Sequence, residues 1–150
     1  MILPMNASHV KGVAELEKQC FSAPWSERSV AGELENEWSL WLVEERDGMV
    51  VGYVGSQSCP PEADIMNVAV SPDYRRQGIG ESLMVALSEA LVQKGIESLT
   101  LEVRASNEGA IALYNRLGYT QIGRRPNYYT DPREDALIMR KELCHADIIR

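Results

Sequence analysis

The chain has 150 residues, a formal net charge of -7 at pH 7 and hydrophobic residues at 45% of its positions. This length predicts a single domain over residues 1–150 with one core, and the composition is ordinary for a soluble globular protein. A pI near 4.9 argues against non-specific nucleic-acid binding, which requires clustered Lys and Arg over a broad face.

The cysteines and the apolar segments exclude further classes of protein. Cys20, Cys59 and Cys144 lack C-x-x-C spacing, so we expect neither a disulfide framework nor a zinc site, and each cysteine is expected to fill apolar space. No segment approaches the roughly 18 apolar residues of a membrane span, and the first residues lack the apolar stretch of a secretion signal. We therefore expect a cytoplasmic protein without a metal and without a membrane partner.

Two helices are predicted before the first strands. Apolar residues recur at helical spacing over residues 10–20, which predicts a short helix there. Ser26 followed by Glu27 is typical of a helix N-cap, and the second helix is expected to carry Val30 and Leu34.

Three strands are predicted next. The β-rich runs "SLWLVEE" and "MVVGYVGSQS" flank an Asp-Gly pair, a dipeptide that favours a hairpin turn. The apolar run over residues 65–70 predicts a short strand, which Pro72 ends because proline lacks a backbone donor.

Helices and strands alternate in the second half. An apolar stripe predicts a helix over residues 78–94, alternation predicts a strand over residues 98–103, and a further helix is expected over residues 106–117. The runs "YTQIGRR" and "DALIMRKEL" are expected to form two strands around a loop rich in Pro, Asn and Tyr. This order predicts an α/β fold with a partly antiparallel sheet.

The stretch "YRRQGIGESL", residues 74–83, places a glycine-rich turn between a strand and a helix. Gly78 and Gly80 would let a ligand approach the backbone, and Arg75 and Arg76 add positive charge, so the stretch predicts an anion site. It is not a Walker loop, since no Lys-Ser/Thr pair follows, and Leu83 stands where a dinucleotide fingerprint has its third glycine. A tight turn with two exposed arginines is the alternative.

Two linked motifs carry a family resemblance. "VAVSPDYRRQGIGESLM" resembles the acetyl-CoA-binding motif [QR]-x-x-G-x-[GA] of GNAT-type N-acetyltransferases, and "SNEGAIALYNRLGY" resembles the second motif of the same superfamily. The runs "PWS", "LEVRASN", "NYY" and "REDALIM" make the chain similar to the RimI-type alanine N-acetyltransferases from about Phe21 to Met139.

The resemblance implies a fold and an activity. The fold would be the GNAT fold, a mixed, mostly antiparallel sheet of about seven strands with helices on both faces. The activity would be direct transfer of the acetyl group of acetyl-CoA to the N-terminal alanine of a protein, the eighteenth small-subunit ribosomal protein. Transfer to a lysine side chain or a small amine, and a non-catalytic acyl-CoA-binding module, are the alternatives.

The resemblance also implies which residues hold acetyl-CoA. The N–H groups of residues 76–81 would bind the pyrophosphate, and a strand backbone would pair with the pantetheine arm. Glu81 departs from the pattern, because RimI-type sequences often carry a basic residue there. The positions expected to contact acetyl-CoA are Val68, Ala69, Val70, Arg75, Arg76, Gln77, Gly78, Ile79, Gly80, Glu81 and Asn107.

Glu102 and Tyr114 are the candidate catalytic residues. Glu102 lies on an apolar strand, where an isolated, partly desolvated carboxylate would accept a proton from the amine; the alternative is a solvent-facing residue paired with Arg104. Tyr114 is the candidate acid for the departing thiolate, with a half-buried core residue as the alternative. Asn107, a candidate N-cap, lies two helical turns before Tyr114, so both side chains are expected on one face.

The acceptor site is expected in two loops that carry aromatic residues. Trp25 lies in "FSAPWS", and Tyr128 and Tyr129 lie in "RRPNYYTDPRED". Exposed aromatic side chains there would suit an extended peptide N-terminus, and the alternative is that they cover the core.

Overall fold

The computed structural model describes residues 1–143. It contains four α-helices in this range: α1 (Val10–Cys20), α2 (Glu27–Gly32), α3 (Ile79–Gln93) and α4 (Glu108–Arg116). The strands in the same range are β1 (Ile2–Pro4), β2 (Ser39–Arg46), β3 (Met49–Cys59), β4 (Glu62–Val70), β5 (Ser98–Arg104), β6 (Thr120–Tyr129) and β7 (Glu134–Glu142). Cys144 lies outside the described residues, and no helix of residues 1–143 is long and apolar enough to cross a membrane.

The seven strands form one sheet in the order β1-β2-β3-β4-β5-β7-β6. Only the central pair, β4 and β5, runs parallel, and the other neighbours are antiparallel. The predicted α/β fold with a mixed, mostly antiparallel sheet is therefore confirmed.

Helices cover both faces of the sheet. On one face α1 and α2 pack on a cluster that includes Val13, Val30, Trp41 and Tyr53. On the other face α3 and α4 cover a larger cluster that contains the apolar stripe of α3 and the alternate residues Leu99, Leu101 and Val103 of β5. Strand alternation therefore separates the core into two layers, as a sheet between helices requires.

The local signals placed most helices and turns well. Helix α1 has the predicted bounds, and the Ser26 hydroxyl caps α2 by accepting a hydrogen bond from the N–H of Ser29 at 3.0 Å. Leu34, expected on α2, lies in the 3₁₀ turn Glu33–Glu35 and is 39% exposed. The hairpin turn is confirmed, since Asp47 and Gly48 both have positive φ angles.

Three strand predictions need correction. β1 was missed, and β4 begins at Glu62 rather than at Ile65. The Pro-, Asn- and Tyr-rich segment was predicted to be a loop, but residues 126–129 belong to β6. The β6–β7 register is irregular between Arg125 and Tyr129, and the Asn127 N–H bonds to Asp135 Oδ1 at 2.9 Å, so the strand continues through a bulge.

The parallel pair splays apart in the middle of the sheet. Within the described residues, the β4–β5 ladder comprises only Glu62–Asp64 of β4 against Ser98–Thr100 of β5. Beyond Asp64 the two strands diverge, and the edge of β4 that follows is open toward α3 and α4. This gap provides the space for a site in the centre of the fold.

Candidate active site

A cavity of about 450 Å³ lies beside the open edge of β4. Residues from α1, β4, the glycine-rich loop, α3 and α4 contribute to it. Its walls are formed by Cys20, Phe21, Val68, Ala69, Val70, Arg75, Arg76, Gly80, Met84, Asn107, Gly109, Ala110, Leu113 and Tyr114. The fold thus brings both sequence motifs to one cavity.

The strand wall of the cavity is the segment Val68–Val70. These residues pair with β3 on one side, and on the other side the ladder with β5 has already ended at Asp64. The Nε group of Arg75 donates to the carbonyl oxygen of Val70 at 3.3 Å. An open strand edge of this kind suits an extended ligand that carries amide groups, because such a ligand can bond to the backbone as an added strand.

The glycine-rich loop ends at the N-terminus of α3. Gly78 is the N-cap in the left-handed conformation, with a φ angle of 77°, which only glycine adopts without strain. The first N–H groups of a helix have no intrahelical partner, and this end of the helix is positive. With Arg75 and Arg76 in the cavity wall, the loop has the donors and the charge that a phosphate group requires.

Four of the positions expected to contact acetyl-CoA lie outside the walls of the cavity. Ile79 is buried in the core, and Gly78 turns the chain into α3. The Gln77 side chain accepts a hydrogen bond from Arg46 at 2.7 Å, and Glu81 forms an ion pair with Arg116 at 2.6 Å. For Gly78, Ile79 and Glu81 this leaves the backbone N–H groups as the donors to an anion there.

Arg46 and Arg116 were missed by the sequence analysis. Arg46 lies on β2 and Arg116 on α4, and each reaches the glycine-rich loop or the first turn of α3 through tertiary contact alone. No short-range pattern links either arginine to "YRRQGIGESL", so the sequence contains no signal that could have found them.

Asn107 and Tyr114 share the face of α4 that lines the cavity, as predicted. Asn107 is also the N-cap of α4, since its Oδ1 atom accepts a hydrogen bond from the Ala110 N–H at 3.2 Å. Tyr114 is 7% exposed, and burial raises the pKa of its phenol to about 12. A buried phenol with this pKa keeps its proton at neutral pH and can donate it inside the cavity.

Glu102 lies on β5, on the face opposite Leu101 and Val103. Its carboxylate was expected to be isolated, but it has a charged neighbour. Its Oε2 atom lies 3.0 Å from Nε of Arg125 on β6, although this oxygen receives no aligned hydrogen bond from the described residues. Arg104, the ion-pair partner that the alternative assigned to Glu102, instead pairs with Glu134 at 3.4 Å. The expectation of an unpaired carboxylate is wrong, because the register of β5, β7 and β6 brings Arg125 to the same face.

Tyr129 lies close to Glu102, and Tyr128 packs edge-on against Tyr129. Their rings are 5.0 Å apart, and the guanidinium groups of Arg125 and Arg104 lie 5.7 Å and 4.4 Å from the Tyr128 and Tyr129 rings. Burial first, and then the negative charge of Glu102, raise the pKa of Tyr129 to about 12. Glu102, Tyr128 and Tyr129 lie outside the walls of the cavity, and Tyr129 connects them to it because it lies near both Glu102 and the cavity residue Tyr114.

Trp25 is half-buried rather than exposed. Its ring lies 5.4 Å from that of Trp41, and it packs on the cluster beneath α1 and α2. Phe21, in the same loop, lines the cavity and was missed by the sequence analysis. The loop of residues 21–26 thus runs from the cavity to the α1 side of the sheet.

The comparison with protein families agrees with this geometry. The model of the acetyltransferase (GNAT) family matches residues 10–119. The [ribosomal protein bS18]-alanine N-acetyltransferase of Escherichia coli K12 is 39% identical over 140 residues, which cover 92% of this chain and 94% of that protein.

Solved structures have the same fold as this chain. The crystal structure of the ribosomal-protein-S18-alanine N-acetyltransferase from Escherichia coli superposes with a TM-score of 0.88 at 37% identity, covering 95% of this chain and 93% of that one. The structure of Ard1 from Thermoplasma volcanium has a TM-score of 0.88 at 25% identity, covering 97% of this chain and 98% of that one. With a matching family model over most of its length and relatives of this similarity, the chain belongs to the GNAT family of acetyltransferases.

Proposed function

We propose that the protein transfers the acetyl group of acetyl-CoA to the α-amine of an N-terminal alanine, and that its acceptor is ribosomal protein bS18. The observation that carries the proposal is the single cavity that joins the β4 edge, the glycine-rich loop and Tyr114. The acceptor is supported by the Escherichia coli relative, which is named for acetylating bS18 alanine and is similar over nearly the whole of both chains.

The residues of the cavity fit acetyl-CoA. The N–H groups of the loop and of the first turn of α3, with Arg75 and Arg76, hold the pyrophosphate. The backbone of Val68, Ala69 and Val70 pairs with the pantetheine arm, and Asn107 bonds to it from α4. When bound, acetyl-CoA supplies an activated acetyl thioester.

Glu102 and Tyr114 act on the protons of the reaction. An α-amine has a reference pKa of about 8 and is largely protonated at pH 7, so a base is required before it can attack. Glu102 accepts that proton through a water molecule, and the neutral amine then attacks the thioester carbonyl. As the C–N bond forms, the nitrogen releases its second proton to water. Tyr114 donates its phenolic proton to the sulfur as the C–S bond breaks and then regains a proton from water. Its raised pKa keeps the phenol protonated until that step.

The acceptor amine is held near Glu102. Tyr129 lies beside this carboxylate with Tyr128 packed against it, and the loop of residues 21–26 contributes Phe21 to the cavity wall. Trp25 supports that loop from the α1 side. An extended N-terminus lying between these two segments would place its amine between the carboxylate and the cavity.

Mass spectrometry after incubation with acetyl-CoA tests the proposal. The peptide carries the first residues of bS18, beginning with alanine and containing internal lysines, and the control is the same peptide with a blocked N-terminus. We expect one acetyl group on the α-amine and none on the control. Acetylation of lysine or of a small amine alone would contradict the proposed acceptor, and tight binding of acetyl-CoA without transfer to any amine would favour a binding module.

A further inference from the structure

Glu17 is a fully buried carboxylate near the end of α1. Its Oε1 atom accepts a hydrogen bond from the backbone N–H of Trp25 at 2.8 Å. Its Oε2 atom accepts one from Nδ2 of Asn67 at 2.9 Å and one from the Tyr53 hydroxyl. Burial of a carboxylate is costly unless donors replace the lost water, and here three neutral donors do so.

A β-bulge in β4 brings Asn67 to this carboxylate. Gly55 of β3 pairs with Asn67 and Ser56 pairs with Ile65, so Met66 is an extra residue in β4. Because side chains alternate along a strand, Asn67 would otherwise share the α3 face with Ile65. The extra residue turns Asn67 to the α1 face, and Val68 packs on the α3 side of the sheet.

Glu17 also holds both ends of the loop that follows α1. Its backbone carbonyl accepts a hydrogen bond from the Phe21 N–H at 2.9 Å, and its side chain holds the Trp25 N–H. Phe21 lines the cavity, and Asn67 directly precedes Val68, which lines the cavity from the other side. One residue therefore connects the loop of residues 21–26 to the strand beside the cavity.

We propose that Glu17 is a positioning residue for acetyl transfer. It fixes the loop of residues 21–26 against β4, so that the acceptor N-terminus is presented at a set distance from the acetyl group. This inference rests on the proposed function, which assigns the loop to the acceptor. Glu17 contacts neither substrate and acts through Trp25 and Asn67.

Two substitutions separate the charge of Glu17 from its shape. Glu17→Ala removes all the side-chain bonds, whereas Glu17→Gln keeps the shape but turns an NH₂ group toward donors unless Asn67 or Tyr53 rearranges. The matched control is Glu44→Gln, which changes another buried glutamate that lies on β2 and pairs with Arg46 at 3.6 Å. Amide hydrogen exchange at Trp25 measures how well the Glu17 carboxylate holds the Trp25 N–H. Steady-state kinetics measure the KM for the acceptor peptide.

In Glu17→Ala we expect exchange at the Trp25 amide to be about tenfold faster, with α3 unchanged. We expect the KM for the acceptor peptide to rise about tenfold, while the dissociation constant of acetyl-CoA stays within about twofold. For Glu17→Gln, the exchange rate at Trp25 and the acceptor KM should lie between those of Glu17→Ala and the native chain. This variant is used for the test if the alanine variant does not fold. Glu44→Gln should change neither the exchange rate at Trp25 nor the KM for the acceptor peptide.

Faster exchange at Trp25 with an unchanged acceptor KM would overturn the proposal and leave acetyl transfer intact. The positioning role of Glu17 would also be refuted if Glu17→Gln lowered the melting temperature and raised both the acceptor KM and the acetyl-CoA dissociation constant. Glu17 would then be only a structural residue. A native chain that acetylates no amine would refute the proposed function itself, and with it the acceptor role of the loop.

Discussion

The Nε atom of Arg125 lies 3.0 Å from the Oε2 atom of Glu102, across the face of the sheet formed by β5, β7 and β6. The Glu102 side chain is 30% exposed, and that of Arg125 is 57% exposed. An acceptor ammonium group that approaches Glu102 must therefore compete with the guanidinium group for the same carboxylate.

Replacing Arg125 should strengthen the binding of a cationic acceptor. In Arg125→Ala we expect the KM for an α-amine peptide to fall by about two- to fivefold at low salt, and the difference to shrink at high salt because salt screens exposed charges. The control is Arg124→Ala, since Arg124 pairs with Asp135 at 2.7 Å. An acceptor KM that rises in Arg125→Ala would instead make Arg125 a substrate contact.

Glu102→Gln and Tyr114→Phe should each lower kcat by roughly 10²- to 10⁴-fold, the usual effect of removing a positioned proton-transfer group. Binding of acetyl-CoA, measured by calorimetry, should remain close to that of the native chain in both variants. The matched control for Tyr114→Phe is Tyr119→Phe. The two buried rings lie 5.9 Å apart, but of these two tyrosines Tyr114 alone lines the cavity. Native rates in Glu102→Gln or Tyr114→Phe would refute the assigned roles.

Alkaline pH should destabilise the fold through its buried phenols. The pKa of Tyr114 is raised from 10.0 to about 12 by burial. Below pH 10 the phenol is protonated in both the folded and the unfolded state, and its contribution to the free energy of unfolding is fully present. Between pH 10 and 12 only the unfolded state ionises, so this contribution is lost as the pH rises through the folded pKa. This amounts to up to about 3 kcal/mol.

Denaturant unfolding at several pH values from 9 to about 12 measures this effect. The free energy of unfolding should fall less steeply with pH in Tyr114→Phe than in the native chain, although Tyr53 and Tyr119, whose pKa values burial also raises, contribute in both. Equal slopes in the two chains would show that Tyr114 ionises as readily in the fold as in the unfolded chain.

Removing the carboxylate of Glu81 should tighten the binding of acetyl-CoA. Glu81 lies in the first turn of α3, where it repels an anion and holds Arg116 in an ion pair at 2.6 Å. In Glu81→Gln we expect the dissociation constant of acetyl-CoA to fall by about two- to tenfold, because a negative charge is lost and Arg116 is released. Titration of both chains with acetyl-CoA measures the change.

The control for Glu81→Gln is Glu89→Gln, which removes a carboxylate from the same helix roughly 12 Å further along its axis, beyond a Debye length at physiological salt. This control should leave the dissociation constant unchanged. Weaker binding in Glu81→Gln would mean that the ion pair with Arg116 itself orders the anion site.

Much of the fold could be predicted because its signals are local. The spacing of Val10, Val13 and Leu16, the capping residues Ser26 and Asn107, and the Asp47-Gly48 turn each act over a few residues, and each was located correctly. The bulged end of β6 was predicted wrongly, because Pro126 and Asn127 are typical of loops and only the pairing with β7 keeps them in a strand.

The sequence by itself determined the glycine-rich turn at Gly78 and the shared face of Asn107 and Tyr114, since left-handed backbone and helical spacing are properties of short segments. The tertiary structure decided that Arg125 pairs with Glu102, that Arg116 reaches Glu81 and that Glu17 gathers three donors. These contacts depend on strand register, on a bulge and on the packing of helices against the sheet, which join residues far apart in the chain. Periodicity along one segment carries no information about them.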